Sequence, residues 1–366
     1  MPIIIGVLQT KFPSPSCWWT MLLAVPPVLF PGLSHAQLVD AGSSTLPLRG
    51  PLPVRNYEPV NSLFLLPIPV QASVLAPRKQ VLDFYFDAPN NFLILSGGGY
   101  YTDFEDQRLT LAYTRGIGDG SELSVRVPYV SRNGGIFDGL IDGWHSLFNI
   151  YGGGRGNFEN DQFRFDLRDG QTGTVLAQSR TASSGFGDIV LEYRRALTPD
   201  KPGFDARTGA PDPRRVSIST RASLKLPSGS AKNLLGSGGA DFGLGIAVSA
   251  RPFRRVAFHG NLTGVWHGKT EIEGLRNRSS SVHSLVAVEW LLDGRTSFLA
   301  QIDDNPAPHQ TGIQYADRER RMFTFGFWRQ INPRQNLYLS LGENDFGWAA
   351  RMAPDLQLSA GTRLSL

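Results

Sequence analysis

The chain has 366 residues, and 36 Lys and Arg against 32 Asp and Glu leave a net charge of +4, too slight to grip a polyanion, so nucleic acid is not expected as a partner. Apolar residues make up 41% of it, yet nothing reads as a spanning helix of about 20 consecutive apolar residues: residues 18–33 are interrupted by Pro26, Pro27 and Pro31. The single cysteine, Cys17, excludes a disulfide framework or a thiolate metal site.

Residues 1–36 read as a secretory signal. Lys11 supplies its positive charge, Met21-Leu22-Leu23-Ala24-Val25 begins its apolar part, and Ser34-His35-Ala36 places small residues where a signal peptidase reads, so cleavage is expected before Gln37. A folded N-terminal hairpin is the alternative, and the length of the leader leaves Met21 open as the true start. Residues 37–79 come next as a proline-rich segment, with Gly50-Pro51-Leu52-Pro53-Val54-Arg55-Asn56 and Pro59 too broken for a strand or helix. Leu63-Phe64-Leu65-Leu66 and Val70 make it more apolar than a disordered tail. Either it is ordered and plug-like, at the periplasmic mouth or inside the lumen of a barrel formed by residues 80–366, or it is an unstructured lead-in.

From Val81 onward, short stretches alternate apolar and polar residues between Gly, Asp, Asn and Pro clusters, the mark of strands with one apolar face. Twelve are expected: 81–88, 108–117, 122–131, 187–197, 216–226, 240–250, 256–266, 282–292, 296–303, 321–331, 336–343 and 355–366. The fifth is the clearest, with Ile218, Thr220, Ala222 and Leu224 set against Ser219, Arg221, Ser223 and Lys225. The eighth is apolar on both sides, so its orientation is open. Most stretches are roughly ten residues long, as tilted membrane strands are. The expected fold is an all-β, antiparallel transmembrane β-barrel over residues 80–366, of about 12 strands with both ends in the periplasm.

Connection lengths agree. Residues 118–121, 252–255, 293–295 and 332–335 are short turns, and between them fall longer connections at 89–107, 132–186, 227–239, 267–281, 304–320 and 344–354. Residues 198–215, with four prolines, break the rule. The last strand alternates as barrel-assembly machinery requires but ends in Leu366 rather than an aromatic residue. A soluble β-sandwich would have to bury Asp83, Arg126, Glu192, Arg221 and Lys225, which is costly; in a wide barrel they line the lumen or pair with each other.

The longest connection carries a short helical pattern near residues 136–148. Ile136, Leu140, Ile141, Trp144, Leu147 and Phe148 share one face, while Asp138, Asp142 and His145 lie three to four residues apart. Asp138, Asp142, Trp144, His145 and Phe148 are therefore candidates for a ligand gate or constriction, the alternative being a packed loop helix in which an aspartate fixes His145.

Three stretches resemble a known family: Gly50 to Asn56, Gly134-Gly135-Ile136-Phe137-Asp138-Gly139-Leu140-Ile141-Asp142-Gly143-Trp144-His145-Ser146-Leu147-Phe148, and Ser184-Gly185-Phe186-Gly187-Asp188. Together they look like the uncharacterised bacterial family known as domain of unknown function 3187, over nearly the whole chain after the leader. The resemblance implies a barrel and supplies no reaction.

No catalytic residue is assigned. His145 and Ser146 are adjacent on one helix and point apart, so a lipid-active enzyme would need a distant serine. The other histidines show no close pair at ligand spacing, Asp303-Asp304 reads as a solvated loop end, and no metal or cofactor is expected. The favoured function is a passive channel or small-solute transporter in the outer membrane. The alternatives are a structural barrel without flux, sealed by paired charges and the proline-rich segment, and the lipid-active enzyme. Expected partners are outer-membrane lipid, lipopolysaccharide, barrel-assembly machinery and a small solute; the 30 arginines against six lysines suit a grip on lipopolysaccharide phosphates, the alternative being genomic base composition.

Overall fold

The computed structural model describes residues 46–95, 99–118, 120–135, 137–148, 159–198, 216–344 and 353–366. The expected leader and most of the 198–215 connection fall outside them. The elements are β1 (Gln80–Ile94), β2 (Tyr100–Gly118), β3 (Ser121–Asn133), α1 (Asp138–Phe148), β4 (Arg164–Arg168), β5 (Val175–Ser179), β6 (Ser183–Phe186), β7 (Ile189–Ala196), β8 (Val216–Leu226), β9 (Asp241–Phe253), β10 (Val256–His267), β11 (Arg276–Asn277), β12 (Ser280–Leu291), β13 (Thr296–Asn305), β14 (His309–Gln310), β15 (Arg320–Asn332), β16 (Gln335–Glu343) and β17 (Leu356–Ser365).

Twelve of these close into an antiparallel barrel in the order β1-β2-β3-β7-β8-β9-β10-β12-β13-β15-β16-β17, and β17 returns to β1 with Val81 opposite Ser365. They are the twelve expected strands. The 89–107 connection, read as a loop, is largely strand instead. The β1–β2 ladder skips Ala88 and Pro89, resumes at Asn90 opposite Glu105 and runs to Ile94 opposite Tyr101. Its Asn, Asp and Glu residues mimic a loop in sequence, but their side chains are buried, with Asn90 donating to Glu105 at 2.9 Å. The 132–186 connection holds α1 and three short strands. β4 pairs with the upper part of β2, β5 with β4, and β6 with β3.

Alternation sends one face of each strand outward. Phe84 and Phe86, Leu109 and Leu111, Leu224, Phe242 and Leu244, Leu262, Phe327 and Leu339 are all exposed on the outside of the barrel, while their strand neighbours are buried. An apolar girdle of this kind is stable only against lipid, so the chain is a transmembrane barrel of the outer-membrane type. Among the described residues no helix is long and apolar enough to cross a membrane. On β12 the open orientation resolves: Val282, Val286 and Trp290 face out, and His283, Leu285, Ala287 and Glu289 face in. Replacing Val286, which is 58% exposed, with Arg is expected to cost about 2–4 kcal/mol if it sits near the bilayer midplane. Urea unfolding of the barrel in lipid vesicles checks this, and an unchanged midpoint would remove Val286 from the lipid face.

The interior is packed. One apolar cluster inside the wall joins Leu52 and Val54 to Tyr85, Leu299, Met322, Trp328 and Tyr338. A second joins Val60, Leu63 and Phe64 to Tyr100, Phe104, Phe165, Leu167, Leu234 and Leu275 at the long-loop end. Beside the charged inward residues the wall carries apolar ones, because the apolar residues of the 46–79 segment need apolar partners.

Candidate functional site

Residues 46–79 run through the barrel as a bent strap. Arg251 and Arg49 fix its start near the short turns, through the carbonyls of Leu46 (2.6 Å) and Gly294 (2.9 Å). It climbs past Glu289, Gln301 and Asp303, turns over a short 3-10 turn at Asn61–Leu63, and descends past Asp241, Asn261 and Ser249. It leaves at the short-turn end again, where the Arg78 N–H donates to the Gly116 carbonyl at 2.9 Å. A Cβ at position 116 would lie 2.1 Å from the Ala76 carbonyl oxygen, so only glycine lets the strap pass so close to the wall. Gly50 holds φ +80°, and its face meets Gln71 of the descending limb.

Proline removes backbone donors and keeps the strap from joining a ladder, so side chains of the wall satisfy it. On the climbing limb the Arg55 guanidinium pairs with Asp303 at 2.9 Å, and both side chains are buried. Asp303 also accepts the Asn56 N–H at 3.0 Å. Near the bend, Glu58 accepts hydrogen bonds from Arg320 (3.0 Å), the Tyr100 hydroxyl (2.5 Å) and the Asn61 N–H (2.9 Å). On the descending limb Arg221 donates to the Ile68 carbonyl at 2.8 Å, and Arg194 donates to the carbonyls of Gln71 and Ser73.

Two serine–histidine relays run along the wall, and the first of them joins the two limbs. In the first, the Ser249 oxygen accepts the Ala72 N–H (3.0 Å) and lies 2.8 Å from His259 Nδ1; because the Glu289 carboxylate only accepts, the neutral ring carries its proton on Nε2 and takes the Ser249 hydroxyl at Nδ1. His259 Nε2 then carries the proton toward Glu289 (3.1 Å), which accepts the N–H groups of Arg49 and Gly50. In the second, Arg55 can only donate, so His283 Nδ1 accepts (3.3 Å) and Nε2 donates to Ser281 (2.8 Å). Ser281 also pairs with His267 Nε2, at 2.8 Å. The pairing of β10 with β12 brings His259 to Glu289, and brings His267 to His283 through Ser281.

The residues anticipated as lumen lining are all buried. Arg126 and Arg221 share Glu192, which also accepts from Ser223. Lys225 pairs with Asp188 at 2.5 Å and lies 3.5 Å from Asp241, and Asp83 accepts from Arg363 at 2.8 Å. Helix α1 divides the other candidates. Asp138 is buried and accepts from Asn90 (2.9 Å) and the Asp161 N–H (2.7 Å), tying the helix start to β1. Trp144 is half-buried and Asp142 is exposed; the side chains of His145 and Phe148 lie outside the described residues.

Sequence reasoning missed Arg49, Arg55 and Glu58 with their wall partners. The available signal was three charges inside an otherwise apolar, proline-rich stretch. Asp303-Asp304 is not a solvated loop end: Asp303 is fully buried against Arg55, and Asp304 pairs with Arg321 on β15. Outside the lumen, a cavity of about 1040 Å³ opens among the outer loops, lined by Asp169, Thr172, Thr174 and residues 269–276. Two N–H groups, of Thr172 and Gln171, hold Asp169 below the usual carboxylate range. Among the described residues no cluster of His, Cys, Asp and Glu is placed to hold a metal ion.

Comparison with solved structures gives the barrel relatives. An outer membrane channel of the COG4313 group from Pseudomonas putida F1 superposes with a TM-score of 0.52 at 12% identity, covering 81% of this chain and 99% of that one. The KdgM porin, solved with a disordered oligogalacturonate, gives 0.40 at 8% identity over 78% of this chain and 99% of its own. The NanC porin gives 0.41 at 10% identity over 78% and 100%. At such identities the likeness to the Pseudomonas channel is one of fold, and the two lower scores add nothing to it. No curated protein matches the chain. The family model described as a protein of unknown function, DUF3187, matches residues 38–363, and the chain belongs to that family.

Proposed function

We propose that this protein is an outer-membrane channel for a small hydrophilic solute, closed in the state described by the strap at residues 46–79, which acts as a plug. One observation carries the reading. Within the barrel, from residue 46 to 75, the strap is held by side chains rather than by a shared ladder, whereas the wall is a complete ladder of its own. The plug can therefore leave without breaking the barrel. Helix α1, tied to β1 through Asp138, narrows the outer mouth, with Asp142, Trp144, His145 and Phe148 as gate residues. Asp83, Arg126, Glu192, Arg221 and Lys225 line the path. The leader, residues 1–36, directs export.

The sealed barrel without flux is favoured by a different observation: plug and wall charges are paired and Leu52 is buried in an apolar cluster. Planar-bilayer recording separates the two. The full chain is expected to conduct in rare bursts, and a variant lacking residues 46–76 to conduct steadily. Silence in both, with the variant shown to be folded, would leave the sealed barrel. Contact with lipopolysaccharide fits the long-loop end, where half-exposed Arg164 and Arg180 share the single carboxylate of Asp166 and leave a cation in excess. Recognition of β17 by barrel-assembly machinery completes the reading.

A further inference from the structure

We infer that the solute is a short extended peptide, and that the plug closes the channel by occupying its backbone-binding cradle. The inference rests on the channel reading and names its substrate class. The wall reads the plug through its main chain. Gln301 accepts the Leu52 N–H at 3.0 Å and donates to the Leu52 carbonyl at 3.3 Å. Asn261 does the same for Val70, at 2.8 and 2.9 Å. A residue presents its N–H and C=O to one side only when the backbone is extended, so each amide is a clamp for extended peptide. Arg221 and Arg194 add donors for the carbonyls of Ile68, Gln71 and Ser73.

These contacts ignore side-chain identity. They would serve any peptide that replaced the strap, because buried backbone groups require partners in either case. Removing the plug without a substitute leaves two amides and two guanidinium groups short of their partners. A sugar's adjacent hydroxyls can pair with one carboxamide, but a pyranose does not repeat a donor-only and an acceptor-only group at residue spacing, so it matches the row of clamps and guanidinium donors less well than an extended peptide.

The test uses the full chain in vesicles, with an alanine tetrapeptide and a trisaccharide of similar mass as probes. Peptide entry is expected to exceed sugar entry about tenfold. In Asn261→Leu and Gln301→Leu that ratio is expected to fall toward one, even if loosening of the plug raises both rates. In a Leu52→Cys chain, where the thiol is shielded while the plug is seated, excess tetrapeptide is expected to speed maleimide labelling and the trisaccharide is not. Equal entry of both probes would overturn the peptide assignment and leave the channel standing. A ratio that survives in both variants would overturn the cradle. Entry of neither probe, without peptide-driven labelling, would overturn the inference, and the planar-bilayer currents then decide the channel reading on their own.

Discussion

Arg55→Ala is expected to open the barrel without unfolding it. The substitution leaves Asp303 buried with, among the described residues, the Asn56 N–H and the Asn305 amide as donors (3.0 and 3.2 Å), and it removes the donor that fixes the His283 ring. Breaking one partner of a buried ion pair costs about 3–5 kcal/mol, because the remaining charge stays desolvated. Here the remaining charge has an escape. If the strap leaves, Asp303 faces water, while the ladder of β12, β13 and β15 is untouched. The cost therefore falls on the closed state, and at about 1.4 kcal/mol per tenfold it corresponds to a shift of roughly two to four orders of magnitude toward open. Bilayer recordings of dwell times measure it, alongside the thermal midpoint of the barrel. Replacing both partners, as in Arg55→Met with Asp303→Leu, is expected to restore closure, since an apolar pair of similar volume carries no desolvation cost. A single variant that stays shut while losing barrel stability would show that the strap is part of the wall's fold rather than a plug.

The wall was legible because its two faces meet two solvents. Lipid demands Leu, Phe and Val on every outward position, the interior tolerates Ser, Arg and Asp, and the alternation survives in the sequence. It fades where the strands rise beyond the lipid. There Asn90, Asp103 and Glu105 are buried among polar partners, and nothing enforces an apolar outer face. The strap was legible in composition only. Its place inside the barrel depends on contacts such as Arg55 with Asp303 and Arg49 with Glu289, separated by about 240 residues. No local pattern encodes such distances. The serine–histidine relays were invisible for the same reason: His259 and Glu289 become neighbours only through the register that sets Ala257 opposite Glu289. The charges of Arg126, Glu192, Arg221 and Lys225 were readable as inward, but who pairs with whom was not.

That pairing sets the second large effect. Glu192 is the only carboxylate that the described contacts place between Arg126 and Arg221, and its Oε2 atom takes Arg126 Nη2, Arg221 Nη2 and the Ser223 hydroxyl. Glu192→Ala strands two buried guanidinium groups next to each other across β3, β7 and β8. Unlike Arg55, these belong to the wall and cannot leave, although Arg221 keeps its bond to the Ile68 carbonyl. The expected loss is about 3–5 kcal/mol of barrel stability, read as a lower temperature at which the folded band disappears in gel-shift melting. Glu192→Gln keeps the oxygen acceptor and the shape but not the charge, so it is expected to lose less. Adding Arg221→Leu to Glu192→Ala removes one stranded cation, and the melting temperature is expected to recover in part. If instead the double variant melts below the single one, repulsion between the two arginines is not the source of the loss, and Arg221 contributes mainly through its hold on the descending limb.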